Sequence, residues 1–220
     1  MDITIREGRP DDADFIAWVM QEAGRSHLQR GIWDLALLGP DDKRLGYISQ
    51  LVKTEDRTFC HYKKFLVAEV DTAPAAALTA YIPDNEVREI SIKALNNILS
   101  GDGWSEEQIG TMMQRFAPLQ TCTPEARDNT WIIDFVATRP ELRGSGILGP
   151  LLDAVLEKGR DLGCETAQVA IFIGNTSAQR AYEKAGFKIV DEKRHPDFEA
   201  ALGCPGIAIL RKSLESRAAT

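Results

Sequence analysis

A long apolar run, a basic excess, a cysteine framework and a histidine-rich cluster are all missing from this sequence, and each absence closes a class of function. No run of about 18 apolar residues occurs, so no membrane-spanning helix is expected. The amino terminus, MDITIREGRPDD, lacks the basic-then-apolar pattern of an export signal. The chain is therefore expected to be soluble, unexported and cytoplasmic. Lys and Arg total 26 against 33 Asp and Glu, a formal net charge of −7. Nucleic acid and anionic membrane both need a basic face to displace counterions, so neither is expected as a partner, whereas a cationic acceptor is easily accommodated. Three histidines and four cysteines, Cys60, Cys122, Cys164 and Cys204, are scattered without a CxxC pair. That spacing suggests neither a zinc cage nor a disulfide framework, so reduced thiols and no metal are expected. Internal repeats and low-complexity tracts are also absent.

What is present is the composition of an ordinary globular protein, 220 residues of which 44% are hydrophobic and 27% charged. That length fits one well-filled core, and residues 1–220 are read as one domain. Ile3-Thr4-Ile5-Arg6 alternates as a strand, and Arg9-Pro10-Asp11-Asp12 opens a helix, with Phe15, Trp18, Val19 and Ala23 expected on its buried face. A second helix is predicted from about Asp41 to Thr54, with the segment from Trp33 to Leu38 ambiguous. Phe65 to Val70 and Pro74 to Ile82, separated by Asp71-Thr72-Ala73, read as a hairpin.

From Asp84 to Asn129 the pattern is that of a helical insertion. Val87, Ile90, Ala94 and Ile98 share one face; after Ser100-Gly101-Asp102-Gly103, a capping box at Ser105 to Gln108 leads into Ile109, Met112, Met113 and Phe116. The Met112, Met113 and Phe116 stripe reads as core or as a homodimer contact. Eight acids in this segment, among them Asp128, face four bases, Arg88, Lys93, Arg115 and Arg127; the acids read as a solvated face or as an attraction for a cationic amine. Trp131 to Thr138 reads as a strand, Gly146 to Leu162 as a helix buried through Leu148, Leu151, Leu152, Val155, Leu156 and Leu162, and Gln168 to Ile173 as a nearly all-apolar strand. A helix from Asn175 to Lys184, a strand from Gly186-Phe187 to Val190 and a last strand from Gly206 to Leu210 complete the chain.

The stretch Arg139 to Leu152, RPELRGSGILGPLL, fits two anion-binding patterns. Gly144-Ser145-Gly146-Ile147-Leu148-Gly149 is literally G-x-G-x-x-G, the dinucleotide fingerprint. That fingerprint needs a strand running almost directly into the glycines and a second strand ending at an acid. Here Arg139 to Arg143 intervene, the next strand ends at Asn175, and an antiparallel hairpin precedes the motif. The alternative asks for glycines that let backbone approach a pyrophosphate, free amides in a first helical turn and the positive end of a helix dipole. Gly144, Ser145, Gly146, Ile147, Leu148 and Gly149 meet all three requirements, and Pro150 falls within the first turn, where its missing N–H has no helical partner.

Val136 to Leu152 resembles the coenzyme-A loop of the GNAT superfamily of N-acetyltransferases, whose pattern is Arg or Gln, two residues, Gly, one residue, then Gly or Ala. Arg143 and Gly146 match, while Leu148 stands at the last small position. Asn175 to Phe187, NTSAQRAYEKAGF, resembles the same family's N-x-x-A-x-x-x-Y-x-x-x-G-F segment, in the right order and context. The resemblance covers nearly the whole chain except 84–129. It implies an α/β (α+β) fold with a central mixed, mostly antiparallel sheet and helices on both faces. It further implies acetyl-CoA as co-substrate, with the pantetheine arm along Val136, Ala137 and Thr138, where that strand splays from the strand of Val169 to Ile173. Direct transfer of the acetyl group to a primary amine, a small-molecule amine favoured over protein, is the implied reaction.

Three demands follow: an unprotonated amine, a polarised carbonyl and a stabilised thiolate. Tyr182 matches the family's tyrosine near the coenzyme sulfur, or else is a core residue one turn past Ala178. Asp134, in the apolar strand WIIDFVAT, stands where related enzymes carry an acid that deprotonates the amine; its other readings are a solvent-facing residue or a partner of Arg139 or Arg143. His195 and Glu69 are weaker candidates. Asn175 is expected to cap its helix and to bond backbone or the coenzyme arm, and Arg143 to orient the loop or bond phosphate. A protein that binds acyl-CoA without catalysis, and transfer of a longer acyl group, stay open at this point.

Overall fold

Alternating runs and capped amphipathic stretches succeed one another along the chain. The computed structural model describes residues 2–54, 58–125 and 129–214, so Arg127 and Asp128 of the central segment lie outside the described residues. In order come β1 (Ile3–Glu7), α1 (Ala13–Arg25), α2 (Ile32–Ala36), α3 (Asp41–Val52), β2 (Phe65–Val70), β3 (Ala73–Tyr81), α4 (Asn85–Gly101) and α5 (Glu106–Gln120). Then follow β4 (Thr130–Thr138), α6 (Leu148–Asp161), β5 (Thr166–Phe172), α7 (Thr176–Lys184), β6 (Lys188–Arg194), α8 (Pro196–Leu202) and β7 (Gly206–Ser213). Among the described residues no helix is long and apolar enough to cross a membrane.

The strands form one seven-stranded sheet in the order β1-β2-β3-β4-β5-β7-β6. Every neighbouring pair is antiparallel except β4 with β5. The β2–β3 hairpin turns on Asp71 and Thr72, whose φ values of 49° and 70° are those of a two-residue turn matched to the sheet's right-handed twist. One face packs on α6 and α7 through Leu151, Leu152, Val155, Leu156 and Tyr182. The other carries the core of α1, α3, α4 and α5, with Ile16, Met20, Ile48, Leu99 and Met112 against Phe65, Val67 and Ala77.

Several local expectations are corrected by this packing. In α1 the fully buried residues are Ile16, Ala17, Val19 and Met20, while Phe15 and Trp18 stay half-buried and stack at 5.7 Å, because the helix faces a second layer as well as the sheet. Leu162 points outward, 55% exposed, since α6 has already ended at Asp161. β6 runs past Val190 to Arg194 as an edge strand, which leaves Ile189 and Val190 exposed. The ambiguous segment near Trp33 is the short α2, held by the Asp34 carboxylate accepting from the Gly31 N–H at 2.9 Å.

A helix absent from the sequence reading, α8, starts at His195, whose ring accepts from the Asp197 N–H at 3.2 Å, and ends at left-handed Gly203. The helices between β3 and β4 are no appendage: Ala94, Leu95, Leu99 and Met112 sit inside the second core, and Met113 and Phe116 pack against it. Arg115 ties α5 to the end of α2 by donating to the Leu35 and Ala36 carbonyls at 2.8 and 3.0 Å.

Gly206 opens β7 at φ 152°, and a Cβ there would lie 1.9 Å from the Lys193 carbonyl oxygen. Gly206→Ala is therefore expected to separate β6 from β7 and destabilise the fold by about 3 kcal/mol, through overpacking and a strained φ. Denaturant unfolding of the two proteins checks this.

Candidate active site

β4 and β5 are paired only along their first halves. Register runs from Thr130↔Thr166 to Ile133↔Val169 and then stops, so Asp134 to Thr138 leave their neighbour and a gap opens between the strands. The departure coincides with a bulge: Ala77 faces Ala137 and Thr79 faces Asp134, so Leu78 alone stands opposite both Phe135 and Val136. Phe135 takes φ 47°, a left-handed conformation uncommon for a bulky residue. The side-chain alternation inverts there. Trp131 and Ile133 point into the α6 core, whereas Phe135 and Ala137 point into the opposite core and Val136 takes their former side.

Asp134 sits at this break. Its carboxylate accepts from the Phe135 N–H at 2.8 Å, which steadies the strained residue. It is partly accessible yet enclosed by apolar neighbours, and burial pushes its pKa up to about 6 against the lowering effects of the Phe135 N–H and the Tyr81 phenol. Neither arginine weighed as its partner reaches it. Arg139 donates to the Pro74 carbonyl at 2.7 Å and lies over the rings of Phe15 and Trp18, and Arg143 is engaged elsewhere.

Across the gap, Tyr182 is 4% exposed, packed edge-on against Phe187 with ring centroids 5.8 Å apart. Burial raises its phenol pKa well above the ordinary value, and the charge of Asp134 raises it further, so the two groups are close enough to sense each other. Tyr182 is held there by α7, which begins at Asn175. The Asn175 amide oxygen accepts from the Ala178 N–H at 3.0 Å, and its nitrogen donates to Ser26 Oγ at 2.6 Å, tying α7 to the end of α1.

Beyond β4 lies the glycine loop. Gly144 and Gly146 adopt φ 79° and 89°, which glycine alone takes without strain. Among the described residues no acceptor is found for the amides of Gly144, Gly146, Ile147 and Leu148. The Ser145 amide and hydroxyl both donate to the Leu142 carbonyl, at 3.3 and 2.6 Å, and the Gly149 amide donates to Gly146 at 3.2 Å. Ser145 and Gly149 thus shape the turn and spend their donors inside it. α6 begins at Leu148, later than the expected Gly146, with Leu148 half-buried against the core and Gly149 and Pro150 in the first turn. Arg143 bonds the Thr138 carbonyl at 3.3 Å and pairs with Glu22 at 3.3 Å, lashing the loop to β4 and α1.

Space above Gly144, Gly146 and Gly149 is open, with nothing within 4 Å of a Cβ built on any of them. The amides of Gly144, Gly146, Ile147 and Leu148, without an acceptor among the described residues and at the positive end of a 14-residue helix, suit a pyrophosphate, and the gap beside Val136, Ala137 and Thr138 exposes strand edges to a thin amide-bearing chain. The residues present therefore fit acetyl-CoA.

Tyr81, Phe59 and Cys60 were not anticipated at this site. Tyr81 ends β3 beside Ile132 and approaches Asp134 diagonally across the bulged pair; the Cys60 thiol, fully buried, is pushed well up by burial and by Asp134. The β3–β4 register is the signal for Tyr81, and no local pattern marks Phe59 or Cys60. Of the weaker candidates, Glu69 pairs with Arg6 at 2.6 Å on the β1–β2 edge, and His195 caps α8. A surface groove of about 450 Å³ lined by Leu38, Trp104, Glu107, Gln108, Thr111 and Arg115 shares no residue with the site.

The profile of the acetyltransferase (GNAT) family matches residues 33–187, well over half of the chain. Among solved structures, one described as a crystal structure of acetyltransferase superposes with a TM-score of 0.69 at 19% identity, covering 96% of this chain and 100% of its own. An N-acetyltransferase from Staphylococcus aureus Mu50 gives 0.68 at 24% identity, with 95% and 100% covered. The structure of yncA from Salmonella typhimurium, which contains its cofactor acetyl-CoA, gives 0.53 at 16% identity, with 100% and 98% covered. At such identities the likeness is one of fold, and no curated protein matches the sequence. The length of the family match, which spans the splayed strand, the glycine loop and α7, makes this chain a member of the GNAT family of acetyltransferases and an acetyl-CoA-dependent N-acetyltransferase.

Proposed function

We propose that the chain moves the acetyl group directly to the primary amine of a small molecule, with Asp134 as base and Tyr182 as acid on opposite sides of the β4–β5 gap. The observation that carries this reading is the gap itself, with Asp134 at the point where β4 leaves β5 and the buried Tyr182 on α7. Gly144, Gly146, Ile147 and Leu148 hold the pyrophosphate by their amides, Ser145 and Gly149 form the turn around them, and Arg143 fixes the turn to β4. Val136, Ala137 and Thr138 offer backbone groups to the pantetheine arm, and Asn175 and Ala178 set the start of α7 beside it.

When bound, acetyl-CoA supplies the activated acyl group as a thioester. An ammonium entering the site gives its proton to the Asp134 carboxylate, and the freed nitrogen forms the C–N bond as the C–S bond breaks. Tyr182, kept protonated by burial, hydrogen-bonds the departing sulfur and gives it its proton, and the second proton released by the newly acylated nitrogen restores the phenol. A recessed acid and a recessed phenol favour a small acceptor over a folded protein surface.

Calorimetric titration with acetyl-CoA, beside a parallel titration with NAD, tests the reading. Saturable binding of acetyl-CoA with no heat from NAD is expected. Gly146→Val, which forces a side chain to φ 89° in the open cradle, is expected to weaken acetyl-CoA by about 100-fold. Binding of NAD in place of acetyl-CoA would reject the loop assignment and the mechanism with it.

A further inference from the structure

The open half of the β4–β5 gap has two lips. One is the loop that follows β4, residues 139–147, and the other is residues 173–175, which join β5 to α7. Among the described residues no hydrogen bond runs directly from one lip to the other. Both are bonded instead to the last turn of α1. Glu22 pairs with Arg143 at 3.3 Å, and one helical turn later Ser26 Oγ accepts from Asn175 Nδ2 at 2.6 Å. The next residue, His27, lies against Gly174, its Nε2 3.1 Å from where a Cβ would stand.

The two ties are unequal. The Glu22 and Arg143 side chains are 29% and 57% exposed, and an ion pair so open to water contributes little. The bond to Ser26 is short and part-buried. Ser26 makes it from φ 58° and ψ −117°, a region that glycine takes freely and serine only at a cost. What the hydroxyl adds in return is the hold on Asn175, whose other amide atom already caps α7 by accepting from the Ala178 N–H. The turn that carries Ser26 is itself fixed. Arg25 gives Asp34 two bonds, at 3.0 and 2.7 Å, and Gly24 leaves room for the Trp33 ring, which would lie 3.1 Å from a Cβ there.

We infer that Ser26 is a positioning residue for coenzyme binding: through Asn175 it holds the α7 side of the gap at the separation that acetyl-CoA requires, before the coenzyme arrives. This rests on the placement of acetyl-CoA in the β4–β5 gap given above. A ligand that touches both lips has to fix their separation, and where the protein has fixed it in advance that ordering no longer subtracts from affinity. A ligand that touches one lip alone gains nothing from the tie. Tyr182 has its own anchor in the packing on Phe187, so the effect of Ser26 falls on coenzyme affinity.

The test compares wild type with Ser26→Gly and Ser26→Ala by calorimetric titration and denaturant unfolding. The ligands are acetyl-CoA, which spans both lips, and adenosine 3′-phosphate 5′-diphosphate, the nucleotide half, which reaches only the glycine loop. Both variants are expected to bind acetyl-CoA about 3- to 10-fold more weakly, the worth of one hydrogen bond, and to bind the nucleotide half as wild type does. Their stabilities should differ, because glycine relieves the positive φ and alanine keeps it: Ser26→Gly should unfold at the higher denaturant concentration of the two. Affinity would then follow the hydroxyl and not the stability. Unchanged acetyl-CoA affinity in both variants, a loss confined to the less stable Ser26→Ala, or an equal loss for the nucleotide half would each overturn the inference. Those outcomes leave the gap assignment standing, whereas failure of the wild type to bind acetyl-CoA defeats both.

Discussion

Asp134→Asn is expected to lower kcat/KM by about 10²–10⁴-fold, the usual contribution of a positioned base, while making the fold more stable at neutral pH. Both effects have one cause. Burial raises the carboxyl pKa to about 6, above the roughly 3.9 of an unfolded aspartate. Between about pH 4 and 6 the native state holds a proton that the unfolded chain has released, so stability falls as pH rises through that window. Above it the full cost of burying the charge is present. A shift of about two units corresponds to about 3 kcal/mol, and partial access to water reduces the recoverable gain to about 1–2 kcal/mol. Asparagine carries no charge and keeps an oxygen for the Phe135 N–H, so denaturant unfolding at pH 7.5 should give the variant the advantage. At pH 4 the two proteins should match. The wild-type kcat/KM profile should fall about tenfold per unit below pH 6, and that limb should vanish in the variant. A profile flat to pH 5 would remove Asp134 from the chemistry.

Tyr182→Phe separates a catalytic phenol from a core ring. The ring is 4% exposed and rests on Phe187, so loss of the hydroxyl alone should cost less than about 1 kcal/mol of stability, the packing being kept. Rate should respond far more, with kcat lower by about 10²–10³-fold through loss of the hydrogen bond to the leaving sulfur, and KM for acetyl-CoA little changed. Because burial holds the phenol above its ordinary pKa, the wild type should show no alkaline decline from this group at ordinary assay pH. If kcat is unaltered, Tyr182 is a packing residue.

The sequence by itself determined the local elements. Asn175 three residues before Ala178 dictated a capped α7 and thus the place of Tyr182, because capping is a local hydrogen bond. Ser105 and Gln108 likewise fixed the start of α5, and the glycines at 144 and 146 fixed a turn only they can make. The two-helix segment between β3 and β4 was legible as helices, and its burial was not, since an amphipathic face does not name what it packs against. α8 escaped because seven residues give a period too short to read, although His195, Pro196 and Gly203 mark its ends.

Tertiary structure decided the rest. Perfect alternation through WIIDFVAT would put Phe135 on the side of Trp131 and Ile133; the bulge turns it over, releases β4 from β5 and sets Asp134 at the mouth of the gap. Tyr81 comes to Asp134 through the β3–β4 register, and Phe59 and Cys60 come from the segment before β2 by packing on Phe135 and beside the carboxylate. Register depends on pairing energies summed over the whole sheet, and desolvation on every atom around a carboxylate, so neither the grouping of these side chains nor a pKa near 6 is written in any local pattern.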